Sequence, residues 1–396
     1  MSSAPELIEQ FRPTYVEIDV DAFGRNVEAM QRRLGDTRLV AVVKADAYGH
    51  GAIELARRAA RSNVPMIAVA LLEEALELRT SGIEIPILVL GPMKEEQLRA
   101  ARENDLRVGV VGPEELAAIA AIGADDFPIH LKLDSGMGRM GVTRGELPDV
   151  IRLLRQNPGI RVEAIYTHFA NASDPADSFT QIQLDNFREM LDALRSAGID
   201  APLHHSANSA AAVRGLISPG DYARVGIALY GAEPLDSGGF RLEPVMRWRT
   251  EIARLKTLPP GHGIGYGTTF TTKRESRIAT LPVGYADGYS RALSNLADVL
   301  VRGRRAPIAG RVAMDLITID VTDVAGAAVG DEVVLLGSQG SEAITADDLA
   351  SRIGTISYEV FCRVSARVPR VYRADGRMSI RSKFLEHFNL SSRSQG

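Results

Sequence analysis

One lysine follows a short apolar run in a position that suits covalent chemistry. The run Leu39–Val43 predicts a buried strand, and Lys44 comes directly after it in the segment KADAYGHG. An amine held at the mouth of a sheet or barrel is partly desolvated, which lowers its pKa and suits it to form a Schiff base with a carbonyl group. Position alone leaves two interpretations open, a Schiff-base lysine of this kind and a surface lysine that happens to follow a strand.

Polar residues also follow two later apolar runs. Lys132 and Asp134 lie at the end of the run Ile129–Leu133, the glycine-rich segment after them contains Arg139, and His168 follows the next run. Small residues let a backbone approach a ligand, and an arginine binds a carboxylate through two parallel hydrogen bonds. Glycine-rich loops are common, however, and a lone histidine near a core is more often structural than catalytic.

The last two strand ends offer groups that bind anions. Asn208 and Ser209 begin a predicted helix, where they act either as plain N-caps or as part of an anion site. Arg224 opens the run RVGIALYG, in which Gly226 and Ile227 offer backbone N–H groups near the place where barrels bind phosphate. An arginine so close to a strand interior needs a partner, because an unpaired buried charge is costly.

The chain beyond residue 243 adds further candidates. Tyr266 lies between glycines in GIGYG, which presents its hydroxyl freely, although an ordinary glycine-rich turn has the same composition. Met314 and Tyr358 lie in the segments AMD and SYE. Cys362 lies in an apolar, strand-like run, so we predict that it is part of the core, and we predict that His262, in a Gly-Pro loop, is on the surface.

Eight short apolar runs must position these residues. The runs are Leu39–Val43, Met66–Leu71, Pro86–Leu90, Arg107–Val111, Ile129–Leu133, Val162–Tyr166, Leu203–Ala207 and Arg224–Tyr230. The helical stretches between them include Ala52–Arg61, Glu73–Thr80, Lys94–Asn104 and Phe179–Ser196. Near-continuous apolar strands that alternate with helices indicate a parallel sheet covered on both faces. Eight such units predict an α/β fold of the (β/α)8 barrel type, with its site at the carboxyl ends of the strands, rather than an open doubly wound sheet.

The pattern changes after Tyr230, where β-branched residues and closely spaced turns become frequent. The predicted strands are Ile278–Val283, Val299–Val301, Leu316–Val321 and Glu332–Leu336, and only Ala346–Arg352 looks helical. We therefore predict a barrel domain over residues 1–242 and a second, mostly β C-terminal domain over residues 243–396. The last residues, from about Ser391, are polar, and we expect them to be frayed.

The composition excludes several classes of protein. The 396 residues are 45% hydrophobic and 24% charged, which is neither a disordered nor a fibrous composition. With 46 basic and 50 acidic residues the net charge is −4, so bulk charge indicates neither a nucleic-acid nor a membrane-surface protein. One cysteine excludes an intramolecular disulfide. Neither a leader nor a membrane-spanning run is evident, so we expect a cytoplasmic protein without membrane, nucleic-acid or metal partners.

Eight motifs together resemble the alanine racemases, pyridoxal-phosphate enzymes of fold type III. In chain order they are VVKADAYGHG, KLDSGMGRMG, THFA, ANSAA, RVGIALYG, GIGYG, VGYADGY and MDLITID. The first looks like the family's cofactor-lysine motif and is highly specific, and the resemblance extends from Arg12 to about Arg373. The family combines an α/β barrel with a β domain and places its first few residues with the β domain, so the first ~12 residues here are expected there. The segment after Arg373 extends beyond the usual family end and has no assigned role.

The resemblance implies a role for each residue of the cofactor site. Lys44 would form the Schiff base with pyridoxal 5'-phosphate, and Arg224 would face the pyridine nitrogen. The phosphate would contact Tyr48, Ser209, the Gly226 and Ile227 amides and Tyr358, and His168 and Asn208 would complete the cofactor site. Because arginine cannot accept the proton of that nitrogen, the ring is a weaker electron sink, which limits transamination and other side reactions.

The resemblance also implies racemisation by two bases. Lys44 would act on the D face of the substrate and Tyr266 of the other subunit on the L face, which makes the protein a homodimer with shared active sites. Arg139 and the Met314 amide would bind the carboxylate of alanine. Lys132 matches a position that is often a carbamate in the family, and as an anion it would orient Arg139. Tyr285, Arg291 and Tyr358 resemble the residues that narrow the family's entryway. Supply of D-alanine for peptidoglycan is the role that the family implies.

Four alternatives remain beside this interpretation. A fold type III amino-acid decarboxylase has the same two domains, but it normally pairs the pyridine nitrogen with an acidic residue and uses a catalytic cysteine. A racemase of broader specificity, acting for example on serine, resembles periplasmic proteins with leaders. A pyridoxal-phosphate carrier without turnover is a single barrel, and a barrel hydrolase would bind no such cofactor.

Overall fold

The chain forms two compact units, described here from a computed structural model. The structure describes residues 12–123, 125–216, 222–232 and 240–382. The barrel unit contains Phe23–Ala47 and the described part of Ala52–Glu243. The β unit contains the described residues before Phe23, Tyr48–Gly51, and the described chain from Pro244 onward. The first eleven residues and the polar end of the chain that we expected to be frayed lie outside the described residues.

Eight parallel strands build the barrel unit. They are Arg38–Val42, Met66–Val69, Ile87–Val89, Arg107–Val110, Phe127–Lys132, Ile160–Tyr166, Leu203–His205 and Tyr222–Val225. Each strand is hydrogen-bonded to the next from the first to the seventh, and the eighth pairs with the first. The Arg224 amide donates to the Ala207 carbonyl at 2.9 Å, which links the eighth strand to the end of the seventh. The barrel is therefore nearly closed, and the predicted (β/α)8 fold class is confirmed.

Helices alternate with these strands. They are Val20–Leu34, Ala52–Arg61, Leu72–Thr80, Glu95–Glu103, Pro113–Ala121, Leu147–Gln156, Phe179–Ser196 and Ser209–Arg214, with 3-10 turns at Arg144–Glu146 and Ile227–Tyr230. Within Ala52–Arg61 the buried residues are Ala52, Leu55, Ala56 and Ala59, a spacing of three and four that places them on one face. Burial of that face against the strands holds the helix on the barrel. None of the described helices combines the length and apolar character needed to cross a bilayer.

The eighth strand is shorter than predicted. The sequence predicts a strand over Arg224–Tyr230, but the strand spans Tyr222–Val225 and Ile227–Tyr230 form a 3-10 helix, so the prediction is wrong beyond Val225. Gly226 adopts φ −115° and ψ −92°, which ends the extended run. All four residues of the 3-10 helix are buried. A short run of apolar residues is therefore compatible with either a buried strand or a buried helix, and the sequence pattern cannot distinguish the two.

A left-handed turn follows the first barrel strand. Ala45, Asp46 and Ala47 have φ and ψ near +50°, and Tyr48 has φ 53°. Residues other than glycine lose about 1–2 kcal/mol each in this conformation, so local contacts must hold it. The Asp46 carboxylate accepts from the Ala52 amide at 2.8 Å, and the Ala45 amide donates to a glutamate carboxylate at 2.5 Å. The turn is thus fixed immediately after Lys44.

The β unit is built on one large sheet and two smaller ones. The order in the large sheet is Arg304–Pro307, Asp298–Val301, Glu332–Gln339, Met246–Glu251, Tyr15–Asp19, Arg370–Ala374 and Arg377–Arg381, with Glu342–Ile344 beside Glu332–Gln339. Arg254–Leu258, Ser276–Leu281 and Ile317–Asp320 form a second, antiparallel sheet, and Gly263–Ile264 pairs with Phe270–Thr271. Short 3-10 turns span Tyr266–Thr268, Tyr285–Asp287 and Arg291–Leu293. The predicted mostly β character of this region is confirmed.

Two predictions for the β unit are wrong. Beside the expected helix, which spans Ala346–Ile353, a second helix spans Ser357–Cys362. Cys362 ends that helix and is exposed, although we predicted it in a core strand. The apolar letters around it misled the prediction, because in a helix only one side of such a run is buried, here at Phe361. His262 is exposed, as predicted.

Candidate active site

The carboxyl ends of the barrel strands carry a group of basic side chains. Lys132 is the last residue of the fifth strand and only 7% exposed, and Lys44 follows the first strand after one residue. Burial, followed by the positive charges of Arg139, Arg224 and Lys44, lowers the pKa of Lys132 to about 8 against the opposing effect of Asp134. Among the described residues no carboxylate forms an ion pair with Arg139. This mouth therefore favours a ligand that carries negative charge.

Arg224 is buried and donates to neutral acceptors. Its guanidinium donates to His205 Nδ1 at 2.7 Å, to the His205 carbonyl at 2.9 Å, to the Thr167 carbonyl at 2.7 Å and to His168 Nδ1 at 3.1 Å. Burial lowers the pKa of Arg224 to about 10, so it stays charged near neutrality. We expected a partner for this arginine, and within the described chain that partner is a set of carbonyls and rings rather than a carboxylate.

These contacts fix the protons of a buried chain of histidines. Because arginine only donates, His205 must accept at Nδ1 and carry its proton on Nε2. His205 Nε2 lies 2.9 Å from His130 Nδ1, and His130 Nε2 lies 3.6 Å from the Glu163 carboxylate. Burial holds the pKa of both rings below the usual range, so both stay neutral. Two neutral rings are thus hydrogen-bonded in series to Arg224, and the outer ring faces Glu163 across a gap that is too long for a hydrogen bond.

His168 is also neutral. Burial, helped by the charge of Arg224, holds its pKa well below the usual range. Since Arg224 donates to its Nδ1, the proton of His168 lies on Nε2, where it can be donated. The ring can therefore supply a hydrogen bond, but not a positive charge.

The candidate anion groups lie at the seventh and eighth strands. Asn208 is the N-cap of the helix Ser209–Arg214 and accepts from the Ala211 amide at 3.0 Å. The Gly226 amide, which we expected to be offered to a phosphate, donates to the Ser209 hydroxyl at 2.9 Å. That contact leaves the proton of Ser209 Oγ available as a donor and ties the helix start to the Gly226–Ile227 turn.

Two tyrosines of the β unit lie together. The rings of Tyr48 and Tyr358 are 5.7 Å apart. Burial raises the pKa of the Tyr48 hydroxyl well above the usual range and that of Tyr358 to about 12. Both hydroxyls are therefore protonated near neutrality and can act as donors.

Tyr266 has 73% of its surface accessible, the highest fraction among the exposed large hydrophobic side chains of the described chain. It begins a 3-10 turn between Gly265 and Gly267, whose φ values of 70° and 71° lie in the left-handed region. The glycines allow the turn, and the turn presents the tyrosine outward. The described part of the β unit therefore leaves most of this side chain uncovered.

Tyr285 and Met314 occupy adjoining turns of the β unit. The Tyr285 amide donates to the Ala313 carbonyl and the Ala286 amide to the Met314 carbonyl, each at 3.0 Å. Met314 is 53% exposed, and within the described residues nothing accepts a hydrogen bond from its amide. That amide is therefore free to bind an anion.

The sequence did not single out every residue of this arrangement. His130, His205, Glu163 and Asp287 were not among the candidates, although Asp287 lies within the motif VGYADGY. The pair His204-His205 in a predicted strand was the available signal, since a charged or polar ring in a barrel interior must be hydrogen-bonded.

Comparison with known proteins adds two family matches. Residues 18–234 match the model of the alanine racemase N-terminal domain, and residues 245–372 match that of the C-terminal domain. The chain is 45% identical over 369 residues to the alanine racemase of Halothermothrix orenii, covering 91% of this chain and 97% of that protein. It is 39% identical over 368 residues to the alanine racemase of Methanococcus maripaludis, covering 91% and 98%.

Solved structures give the same result. Alanine racemase from Bacillus anthracis with bound L-Ala-P superposes with a TM-score of 0.89 at 38% identity, covering 95% of this chain and 99% of that one. Biosynthetic alanine racemase from Pseudomonas aeruginosa superposes with a TM-score of 0.83 at 36% identity, covering 92% and 100%. Both likenesses extend over the barrel and the β unit.

Proposed function

The chain belongs to the alanine racemase family and is thus an isomerase, and from this premise we propose that it interconverts L-alanine and D-alanine with pyridoxal 5'-phosphate. We propose a two-base reaction, with Lys44 on the D face and Tyr266 of the partner subunit on the L face, and D-alanine for peptidoglycan as its product. The observation that carries the proposal is the match to alanine racemases, which covers nearly the full length of this chain and of each matched protein.

The residues of the barrel mouth fit such a cofactor. When bound, pyridoxal phosphate supplies a conjugated ring that makes the Cα proton of an amino acid acidic. Lys44 offers the amine for the Schiff base, and its neighbours Lys132, Arg139 and Arg224 supply positive charge for an anionic ligand. A donor-only arginine, held by the rings and carbonyls around it, would leave the pyridine nitrogen without a proton.

The phosphate of the cofactor needs several donors. We assign this role to Ser209, to the Ile227 amide, and to the hydroxyls of Tyr48 and Tyr358. The Gly226 amide, which we expected to donate to the phosphate directly, would instead orient the Ser209 hydroxyl. Ser209 keeps its proton for a ligand because it accepts from the Gly226 amide, and both tyrosines stay protonated because burial raises their pKa. Asn208 fixes the helix start that carries Ser209.

The substrate carboxylate would bind to Arg139 and the Met314 amide. The amide of Met314, which donates to no described residue, and the absence of a carboxylate partner for Arg139 in the described chain support this assignment. Tyr285 would line the entry beside Met314, where its ring limits the side chain to a small one. Proton transfer would then take place at Lys44 Nζ on one face and at Tyr266 Oη on the other.

Lys132 is proposed as a carbamate. A pKa of about 8 leaves roughly a fifth of the side chain as neutral amine near pH 7.4, and the neutral amine is the form that adds to carbon dioxide. The ammonium first loses one proton, and addition of the neutral amine to carbon dioxide then forms one N–C bond, opens one C=O π bond and releases a second proton. A repelling cation is thus replaced by an anion beside Arg139. That anion would orient Arg139 toward the substrate.

Two measurements test the function. Circular dichroism of L-alanine incubated with the purified, pyridoxal-phosphate-loaded protein should decay to zero as the racemate forms, and Lys44→Ala should abolish that decay. Borohydride reduction followed by peptide mapping should label Lys44. Stable dichroism with the wild type, or a label on another lysine, would overturn the proposal, and carbon dioxide release would instead indicate the decarboxylase.

A further inference from the structure

Asp287 is a fully buried carboxylate in the β unit, with none of its surface accessible. Its two oxygens accept from the Arg12 guanidinium at 2.8 and 2.6 Å, and Arg367 Nε lies 3.0 Å from the same carboxylate. The Gly284 amide donates to it at 2.9 Å. One carboxylate therefore pairs with two arginines that are far from it in the chain.

This carboxylate anchors the turn that carries Tyr285. Asp287 ends the 3-10 turn Tyr285–Asp287, and its backbone carbonyl accepts from the Ser365 amide at 2.9 Å. The amides of Tyr285 and Ala286 in turn donate to the carbonyls of Ala313 and Met314. The position of Asp287 thus sets the position of the loop that holds Met314.

A second contact ties the same loop to the carboxylate. Arg367 Nη2 donates to the Asp315 carboxylate at 2.7 Å while its Nε faces Asp287. The fit between the two turns is tight, because a Cβ placed on Gly284 would lie 2.3 Å from the Met314 carbonyl oxygen. A shift of the Asp287 turn therefore cannot leave Met314 in place.

We propose that Asp287, clamped by Arg12 and Arg367, is a positioning residue that aims the Met314 amide at the substrate carboxylate and holds Tyr285 at the entry. A buried ion pair is weak evidence for stability by itself, since desolvation can exceed its attraction. Here it fixes the turn Tyr285–Asp287, whose amides donate to the carbonyls of the loop that holds Met314. This inference rests on the proposed function, because Met314 and Tyr285 bind substrate only if the protein is a racemase.

The test compares Asp287→Asn with a matched control, Glu17→Gln. Glu17 is also a mostly buried carboxylate of the β unit between arginines, with Arg249 at 2.7 Å and Arg373 at 3.0 Å, but it lies on a strand of the large sheet. We expect Asp287→Asn to raise the KM for alanine about tenfold with a smaller change in kcat, since a displaced positioning group weakens substrate binding. Glu17→Gln should leave KM unchanged. Arg367→Lys keeps the positive charge but loses the guanidinium that bridges Asp287 and Asp315. Its KM for alanine should lie between the values of the other two variants.

Hydrogen exchange gives a readout that does not depend on activity. The amides of Tyr285 and Ala286 should exchange faster in Asp287→Asn than in Glu17→Gln, while those of the barrel strands stay unchanged. Equal KM values and equal exchange in the two variants would overturn the positioning role. If the wild type does not racemise alanine, the proposed function fails, and the exchange rates still decide whether Asp287 holds the turn. If Asp287→Asn does not fold, KM and amide exchange are compared between Arg367→Lys and Glu17→Gln instead.

Discussion

At the scale of single residues, charge decides the chemistry of the barrel mouth. Lys132, Arg139 and Arg224 act on one another through their positive charges, and the rings beside them are kept neutral by burial. A neutral His168 cannot compete with Arg224 for a bound anion. The arginines and lysines of the mouth thus carry its positive charge, while the buried rings form hydrogen bonds without adding charge.

Arg224→Glu should change the course of the reaction rather than only its rate. A carboxylate facing the pyridine nitrogen would keep that nitrogen protonated and make the ring a stronger electron sink. We expect a long-wavelength absorbing species to accumulate and transamination to increase relative to racemisation. An unchanged partition ratio without such absorbance would contradict the role of Arg224, and Arg224→Lys provides the control that keeps the charge.

Carbamylation of Lys132 should depend on pH. Its pKa of about 8 lies below the usual value, so the neutral amine that reacts with carbon dioxide becomes dominant as the pH rises through 8. The carbamate signal in 13C NMR with labelled bicarbonate should therefore grow between pH 7 and 9, and Lys132→Ala should lack it. Lys132→Ala should also lose activity and regain part of it with short carboxylates. A bare amine in the electron density of an active preparation would refute the modification.

At the scale of elements, the turn after the first barrel strand holds a conformation that its residues resist. Ala45, Asp46 and Ala47 all have positive φ, and the contacts of Asp46 and Ala45 fix the turn beside Lys44. A rigid turn limits the movement of the lysine that follows the strand. Backbone strain is thus placed next to the reactive amine.

Ala45→Gly should stabilise the protein, because glycine adopts positive φ without the cost that alanine bears. We expect a gain of about 0.5–1 kcal/mol after allowing for the greater entropy of glycine in the unfolded chain. The control is Ala117→Gly, an exposed alanine within the helix Pro113–Ala121, which should lose about 1 kcal/mol. Urea unfolding midpoints of the two variants should move in opposite directions, and a loss in both would show that the turn is not strained.

At the scale of the whole molecule, the two proposed bases belong to different units. Lys44 lies in the barrel unit, and Tyr266 stands exposed on the β unit with 73% of its side chain accessible. If Tyr266 is the second base, its exposure allows it to enter the active site of a second copy of the chain. A C2 dimer would then contain two identical shared sites.

Mixing two inactive variants tests this arrangement. Lys44→Ala and Tyr266→Phe are unfolded and reassociated together, so that about half the dimers are mixed. One site of each mixed dimer would carry both lesions and the other would be intact, so about a quarter of wild-type activity should return. No activity would return if Tyr266 served the lysine of its own chain. Each variant refolded alone is the control.

The sequence by itself determined the local features of this protein. The alternation of apolar runs and amphipathic segments specified eight barrel units, because the spacing of buried residues in a strand or helix is visible within a short stretch of sequence. Residues at strand ends, such as Lys44 and Lys132, could be placed at the barrel mouth, since parallel strands end at one face. The local sequence did not predict the secondary structure of Ile227–Tyr230, because a fully buried run is apolar in either a strand or a helix. It also did not predict the exposure of Cys362, which lies on the exposed face of a short helix.

Only the tertiary structure decided which polar groups meet. His130 and His205 are 75 residues apart in the chain and lie 2.9 Å apart at their rings, while Arg12 and Asp287 are separated by 275 residues. Such pairs depend on which strands and turns become neighbours, and periodicity carries no information about that. The neutral state of the histidines and the clamp on the Met314 loop follow from those meetings, because burial and partner together set the protonation and position of a polar side chain.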